Sequence, residues 1–248
     1  MRLTIVGSGD AFGSGGRTST CLWLETAKGT LVVDFGASAL PALKALKLDP
    51  NRIDAIVLSH LHGDHFGGLP FLLLDSQFLA RRETPLLIVG PPGTRARLDA
   101  LLEVFFPKST GTQWRFAWRV EEIAPGQKAD VLGHSLITTE VVHQSGAPST
   151  ALRLSDGETV FAYSGDTEWT DALLPIAKGT NLFVCECYAY AGAKITGHLS
   201  WEILKTKLAD LGAKQTMVTH MNPTMLVCVD EARVEGVLVA EDGLVMEF

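Results

Sequence analysis

The hexad His60-Leu61-His62-Gly63-Asp64-His65 restricts the fold more than any other stretch of this 248-residue chain. It follows the apolar run Ala55-Ile56-Val57-Leu58, which predicts a short buried strand. Behind it come Gly67-Gly68 and the apolar stretch Leu69 to Leu74, which predicts a helix packed inward. A strand-to-helix junction presents side chains on a short loop held by a rigid scaffold. Three imidazoles and a carboxylate in six residues supply the nitrogen and oxygen ligands that zinc and similar divalent ions take. A loop that is histidine-rich by accident is the poorer reading, because the chain has only seven histidines in all.

The pattern recurs along the chain. His143 follows the strand-like run Ser135 to Val142, Asp166 follows Thr159 to Tyr163, and His220 follows Thr216 to Thr219. Open sheets gather their ligands beyond strand ends, so four such residues can converge although far apart in sequence. Other segments predict strands at Leu3 to Val6, Cys21 to Thr26, Thr30 to Asp34, Leu86 to Val89 and Leu182 to Glu186. Trp114, Phe116 and Trp118 alternate as a strand would, and Asp156-Gly157 predicts a hairpin turn. Helices are predicted from Ala39 to Leu46, Arg95 to Phe106 and Trp201 to Leu211. With neither an internal repeat nor a low-complexity linker, residues 1–248 are taken as one domain.

Several residues carry two readings. Asp34 either orients a ligand imidazole or caps the helix that begins near Ala39. Gly7 to Arg17 holds five glycines, as a phosphate cradle would, but lacks both the Gly-x-Gly-x-x-Gly spacing and a Gly-Lys-Ser/Thr ending, so it is read as a loop passing the metal centre, with nucleotide binding the lesser alternative. Arg17 either holds an anionic substrate group or lies on the surface. His198, in Thr-Gly-His-Leu-Ser ahead of a helix, is either a proton donor or a helix-entry histidine held by backbone groups. His134 follows a glycine in a turn and is left outside the site.

Composition narrows the partners. A formal net charge of -7 and the lack of any Lys/Arg run argue against a long nucleic acid. One phosphodiester in a metal site is still allowed. The four cysteines are dispersed and predict neither a disulfide framework nor a Cys-rich zinc site. The chain shows no leader-like start and no apolar run near the ~20 residues of a membrane span, so a cytoplasmic protein without a membrane partner is expected.

Taken together, His60-x-His62-x-Asp64-His65, His143, Asp166 in Ser-Gly-Asp, and His220 resemble the metallo-β-lactamase superfamily, over nearly the whole chain. The resemblance implies an α/β fold, a four-layer αββα sandwich of two mixed β-sheets flanked by helices. It implies a centre of two divalent ions, zinc foremost, with manganese or iron as alternatives. His60, His62 and His143 would hold one ion, Asp64, His65 and His220 the second, and Asp166 would bridge them. Asp64 is then a ligand alone, or a ligand that also accepts a proton from the attacking water.

Within the superfamily the chain is most similar to the ribonuclease Z branch. The similarity rests on the Gly-Ser-Gly loop, Ser-His-Leu-His-Gly-Asp-His-Phe-Gly-Gly-Leu-Pro, the Gly-Pro-Pro-Gly turn, Glu186, and His198 in Gly-His-Leu-Ser. There a Glu and a His at these places assist at the scissile phosphate, which makes Glu186 and His198 catalytic candidates beside Asp64. One departure matters: the tRNA-gripping arm of that branch lies between the positions of His143 and Asp166. Here only twenty-two residues separate them, enough for a hairpin. The expected activity is therefore a metal-dependent phosphodiesterase for a small or short single-stranded substrate, acting through water activated by two ions. A lactone, thioester or ester hydrolase on the same centre is the alternative, and a non-catalytic metal-binding protein a third. A homodimer is compatible with the resemblance, with Trp114 and Trp118 as candidate contact aromatics.

Overall fold

Both faces of the first strands are buried. In β1 (Arg2–Gly7) and β2 (Cys21–Thr26), Leu3, Ile5, Leu22 and Leu24 join one apolar cluster, while Val6, Cys21 and Trp23 join another. A sheet apolar on both sides needs a layer above it and a layer below. The computed structural model, which describes residues 1–191 and 196–248, supplies both.

The strands continue with β3 (Gly29–Val33), β4 (Ala55–Val57), β5 (Leu86–Gly90) and β6 (Trp118–Glu122). After them come β7 (Lys128–Val131), β8 (His134–Glu140), β9 (Thr150–Ser155), β10 (Val160–Tyr163), β11 (Leu182–Glu186) and β12 (Thr216–Thr219). The short β13 (Leu238–Val239) and β14 (Val245–Glu247) end the series. They form two seven-stranded sheets, ordered β14-β1-β2-β3-β4-β5-β6 and β13-β12-β11-β10-β9-β8-β7. Each sheet is mixed: strands from β3 to β6 and from β10 to β13 run parallel, and the rest of each sheet is antiparallel.

Helices α1 (Ala39–Ala45), α2 (Gly63–Phe66), α3 (Leu69–Phe78) and α4 (Thr94–Phe105) precede the second sheet in sequence. Later come α5 (Leu173–Ala177), α6 (Trp201–Leu211), α7 (Pro223–Leu226) and α8 (Val229–Val234). One apolar cluster lies between the sheets, where Leu31, Val33 and Val57 meet Leu136, Leu152, Phe161 and Val184. A second packs Val32, Ile56 and Ile88 against Leu43, Leu72 and Leu98 of α1, α3 and α4. The third packs Ala162, Phe183 and Val218 against Ile176 and Leu204 of α5 and α6. Three apolar interfaces between four layers give the expected αββα sandwich. No helix among the described residues is long and apolar enough to cross a membrane.

Two local expectations differ. The strand predicted through Trp114 and Phe116 begins only at Trp118. The aromatics ahead of it pack edge-on, Trp114 with Phe116 at 5.9 Å and with Trp118 at 5.7 Å, so clustering rather than a pleat spaces them. Trp114 and Trp118 are half-buried, and the guanidinium of Arg95 covers the Trp118 ring. His134 lies in the second sheet, buried between Thr26 Oγ1 and the Val131 carbonyl.

Candidate metal centre

The parallel arrangement puts the carboxyl ends of β3 and β4 side by side, with Val33 beside Val57. Asp34 therefore emerges next to Ser59 and His60, at φ 58°, in the left-handed region. Its carboxylate accepts the Ser59 N–H at 2.7 Å, the Ser59 hydroxyl at 2.7 Å and the His65 Nδ1–H at 2.7 Å. This settles its two readings: Asp34 orients His65, and α1 is instead preceded by Ser38. Gly36 lets the same segment close on the hexad, since a Cβ there would stand 2.1 Å from the Asp64 carbonyl oxygen.

For three of the rings the hydrogen bonds fix which nitrogen faces inward. Ser59 gives its one hydroxyl proton to Asp34, so at 3.0 Å it accepts from His60 Nδ1. His143 Nδ1 donates to the Gly197 carbonyl at 2.6 Å. With His65 committed to Asp34, three imidazoles hold Nδ1–H outward and turn the Nε2 lone pair to a common centre. That is how metal-ligating histidines are normally held. His143 Nε2 lies 3.0 Å from His62 Nδ1, which brings those two rings within hydrogen-bond distance of each other.

Asp166, beyond β10, stands in the middle. Its Oδ2 lies 3.2 Å from His65 Nε2, 3.3 Å from His220 Nε2, 3.7 Å from His60 Nε2 and 3.9 Å from His143 Nε2. Asp64 Oδ2 is 3.2 Å from His65 Nε2 and 3.9 Å from His220 Nε2. One potential ligand atom from each of His60, His62 and His143 lies within 4.8 Å of the others, and Asp64, His65, Asp166 and His220 meet the same limit. The structure thus assembles the two groups the sequence paired, with Asp166 in contact with both.

The donor set suits a divalent cation. His60 Nε2, His65 Nε2 and Asp166 Oδ1 are buried without a hydrogen-bond partner among the described residues. Orphaned lone pairs of this kind are costly unless something electropositive meets them. Burial, aided by neighbouring imidazoles, pushes His60 well below the ordinary histidine range, and burial also lowers His143 and His220. Burial opposes charge on His65 as well, but Asp166 and Asp64 outweigh it and raise that ring well above the ordinary range. Removing the Asp34 carboxylate charge with Asp34→Asn should weaken the hold on His65. Zinc affinity is expected to fall ~10–100-fold, the usual effect of losing the partner of a ligand imidazole. A chelator competition titration measures it, and unchanged affinity would leave Asp34 with no role at the centre.

Glu186 and His198 lie beside this cluster. Glu186 ends β11, fully buried, and accepts the Thr167 and Leu199 backbone N–H groups as well as His198 Nδ1–H at 3.2 Å. Burial pushes its carboxyl up to about 7, against the pull of His198. Burial disfavours charge on His198, yet the hydrogen bond and charge of Glu186 raise it on balance. Two rings pack against it, Tyr188 stacked at 4.6 Å and His220 at 5.5 Å, with the centroids of those two 6.1 Å apart. His198 Nδ1 is 4.0 Å from Asp166 Oδ2. His198 Nδ1 is thus held by a side-chain carboxylate, where a plain helix-entry histidine would meet backbone groups.

Sequence reasoning passed over two residues here. Tyr188 buttresses His198, and Arg97 of α4 donates to the carbonyls of Leu61 at 3.1 Å and Ser145 at 2.8 Å. Arg97 thereby ties the loop of His60 and His62 to the loop of His143. Neither residue stands in a motif. Arg17, offered as a substrate group, instead bonds Ser8 Oγ at 3.1 Å and the Ala240 carbonyl.

Two mixed sheets between helices, with His and Asp side chains gathered at strand ends, define the metallo-β-lactamase fold. The YhfI crystal structure from Bacillus subtilis superposes with a TM-score of 0.81 at 22% identity, covering 100% of this chain and 99% of that one. Human tRNase Z, short form, gives the same TM-score, identity and coverage. A family described as "Anti-Pycsar protein Apyc1" matches residues 1–240, and the chain belongs to that family. In sequence it is 26% identical over 229 residues to the probable metallo-hydrolase YhfI of B. subtilis, covering 89% of this chain and 87% of that protein. It is 26% identical over 279 residues to a ribonuclease Z of Geobacillus kaustophilus, covering 90% of this chain and 88% of the relative. The chain is a hydrolase of this fold, related to ribonuclease Z.

Proposed function

We propose that this protein is a metal-dependent phosphodiesterase acting on a small or short single-stranded phosphodiester. His60, His62 and His143 would hold one divalent ion, Asp64, His65 and His220 a second, with Asp166 between them. Two such ions, zinc foremost, would clamp the phosphate oxygens and activate water for attack at phosphorus.

The observation that carries the choice of bond is the Glu186–His198 pair next to the cluster. With Nδ1–H held by Glu186, His198 keeps Nε2 as the nitrogen able to hand a proton to a leaving alkoxide. Glu186 stabilises the imidazolium before transfer, and Tyr188 keeps the ring from turning. The P–O bond to the leaving oxygen breaks as that proton arrives. A lactone or thioester needs mainly an activated water and a polarised carbonyl, and such a pair has no equal task there. Asp64 is assigned as a ligand, because His65 holds its carboxyl below the usual carboxylate range although burial opposes this, and a strong acid is a weak base.

The loop between His143 and Asp166 supports a small or short substrate. It is filled by a turn and the β9–β10 hairpin closing at Asp156-Gly157, with no protruding arm to grip a folded RNA. The alignment with the Geobacillus ribonuclease Z runs over 279 residues, more than the 248 of this chain, so that relative carries insertions absent here.

The test is turnover by zinc-loaded protein of bis-p-nitrophenyl phosphate beside a lactone and a thioester. Phosphodiester turnover, with two ions per chain by elemental analysis, is expected. Rapid lactone or thioester hydrolysis without phosphodiester turnover would overturn the assignment.

A further inference from the structure

The glycine-rich loop Gly7 to Arg17 takes no part in the chemistry proposed above, yet it is held with unusual care. Its two limbs run against each other: Gly9 N–H donates to the Thr18 carbonyl at 2.7 Å, and a Cβ on Gly7 would stand 2.0 Å from the Ser19 carbonyl oxygen. The Asp242 carboxylate, in the turn before β14, joins the limbs. Its Oδ1 accepts the Ser8 N–H at 2.9 Å and the Ser8 hydroxyl at 2.7 Å. Its Oδ2 accepts the Thr18 N–H at 2.7 Å, with the Thr18 hydroxyl 2.8 Å away.

The far side of Ser8 faces the metal centre. Its carbonyl oxygen accepts the His220 N–H at 3.1 Å, and the Thr219 hydroxyl lies 3.3 Å from the same oxygen. His220 sits at φ 60°, a left-handed conformation that a non-glycine residue holds only when its surroundings impose it. Its ring differs from those of His60, His65 and His143, each fixed through Nδ1. His220 Nδ1 is buried without a partner among the described residues. The direction of its Nε2 is thus set by the backbone, which Ser8 anchors, together with the rings of His65 and His198 packed beside it.

From this we infer that Asp242 is a positioning residue for His220, acting through the glycine loop, and that the loop is a collar for this ligand rather than a phosphate cradle. The inference rests on His220 holding an ion. Removing the carboxylate frees the Ser8 limb, and the strained His220 backbone then relaxes toward conformations that turn Nε2 away from Asp64 and Asp166.

The experiment is competition of zinc against a chromophoric chelator for wild type, Asp242→Asn, Asp242→Ala and the neighbouring control Glu241→Ala. Circular dichroism and melting of the zinc-free proteins run alongside. One of the two zinc ions is expected to bind ~10–100-fold more weakly in Asp242→Asn, as when a ligand's support is lost, with the other ion and the zinc-free melting temperature nearly unchanged. Turnover should fall through kcat, with KM close to wild type. Asp242→Ala should show the larger loss, and Glu241→Ala none. Should Asp242→Ala fail to fold, Asp242→Asn still decides. Two wild-type zinc affinities in Asp242→Asn would overturn the inference, as would a lowered zinc-free melting temperature with affinity intact. A wild-type protein binding fewer than two ions would instead refute the metal assignment itself.

Discussion

Asp166→Asn is expected to lose metal and turnover together. The substitution keeps the shape of the side chain and removes only its charge and one acceptor. Asp166 Oδ2 lies between 3.2 and 3.9 Å from the Nε2 atoms of four imidazoles drawn from both ligand groups. Among the described residues no other carboxylate pairs with imidazoles of both groups, so no neighbour can supply the missing anion. Two dications at close quarters repel strongly in a buried site, and an anion between them offsets that repulsion. With a neutral amide there, zinc content should drop below two per chain and kcat/KM by at least ~10³, about 4 kcal/mol of transition-state stabilisation. Asp34→Asn, whose carboxylate hydrogen-bonds only one of these rings, that of His65, should do far less. Elemental analysis after gel filtration, paired with steady-state kinetics, decides between the two. An Asp166→Asn protein that keeps two ions and turns over within tenfold of wild type would show that Asp166 bridges nothing.

The strand-end ligands were legible in the sequence because their signal is local. Each apolar run that ends in His or Asp, at His60, His143, Asp166 and His220, states both the strand and the residue presented at its end. The sandwich itself was implied by the resemblance those residues carry, and the structure bears it out with strands buried on both faces. What the sequence hid is tertiary. Asp34 had two readings until the β3–β4 register placed it against Ser59 and His65. Arg97 is one polar position in a helix, and only packing reveals that its guanidinium spans two ligand loops. Asp242 stands in Glu-Asp-Gly, which reads as a turn, and its partners lie 224 to 234 residues away in sequence. The spacing of Trp114, Phe116 and Trp118 imitated a strand because aromatic clustering yields the same period over so few residues.

His198→Ala should leave metal content and fold intact while lowering kcat by a factor that depends on the leaving group. The cavity it leaves is tolerable, because Glu186 keeps the Thr167 and Leu199 N–H groups as donors. Its carboxyl, which burial already lifts to about 7 with His198 present, then loses the imidazole that pulls it down and takes up a proton rather than remain a bare buried anion. For a phosphodiester with an alkyl leaving group, loss of a general acid is expected to cost ~10²–10⁴ in kcat. p-Nitrophenoxide departs without a proton, so on bis-p-nitrophenyl phosphate the same variant should lose much less. The difference between the two substrates is the informative quantity. Equal large losses on both would mean that His198 binds or orders the substrate and donates no proton. No loss on the alkyl substrate would remove the Glu186–His198 pair from the reaction, and with it the reason for preferring a phosphodiester over a lactone or thioester on this centre.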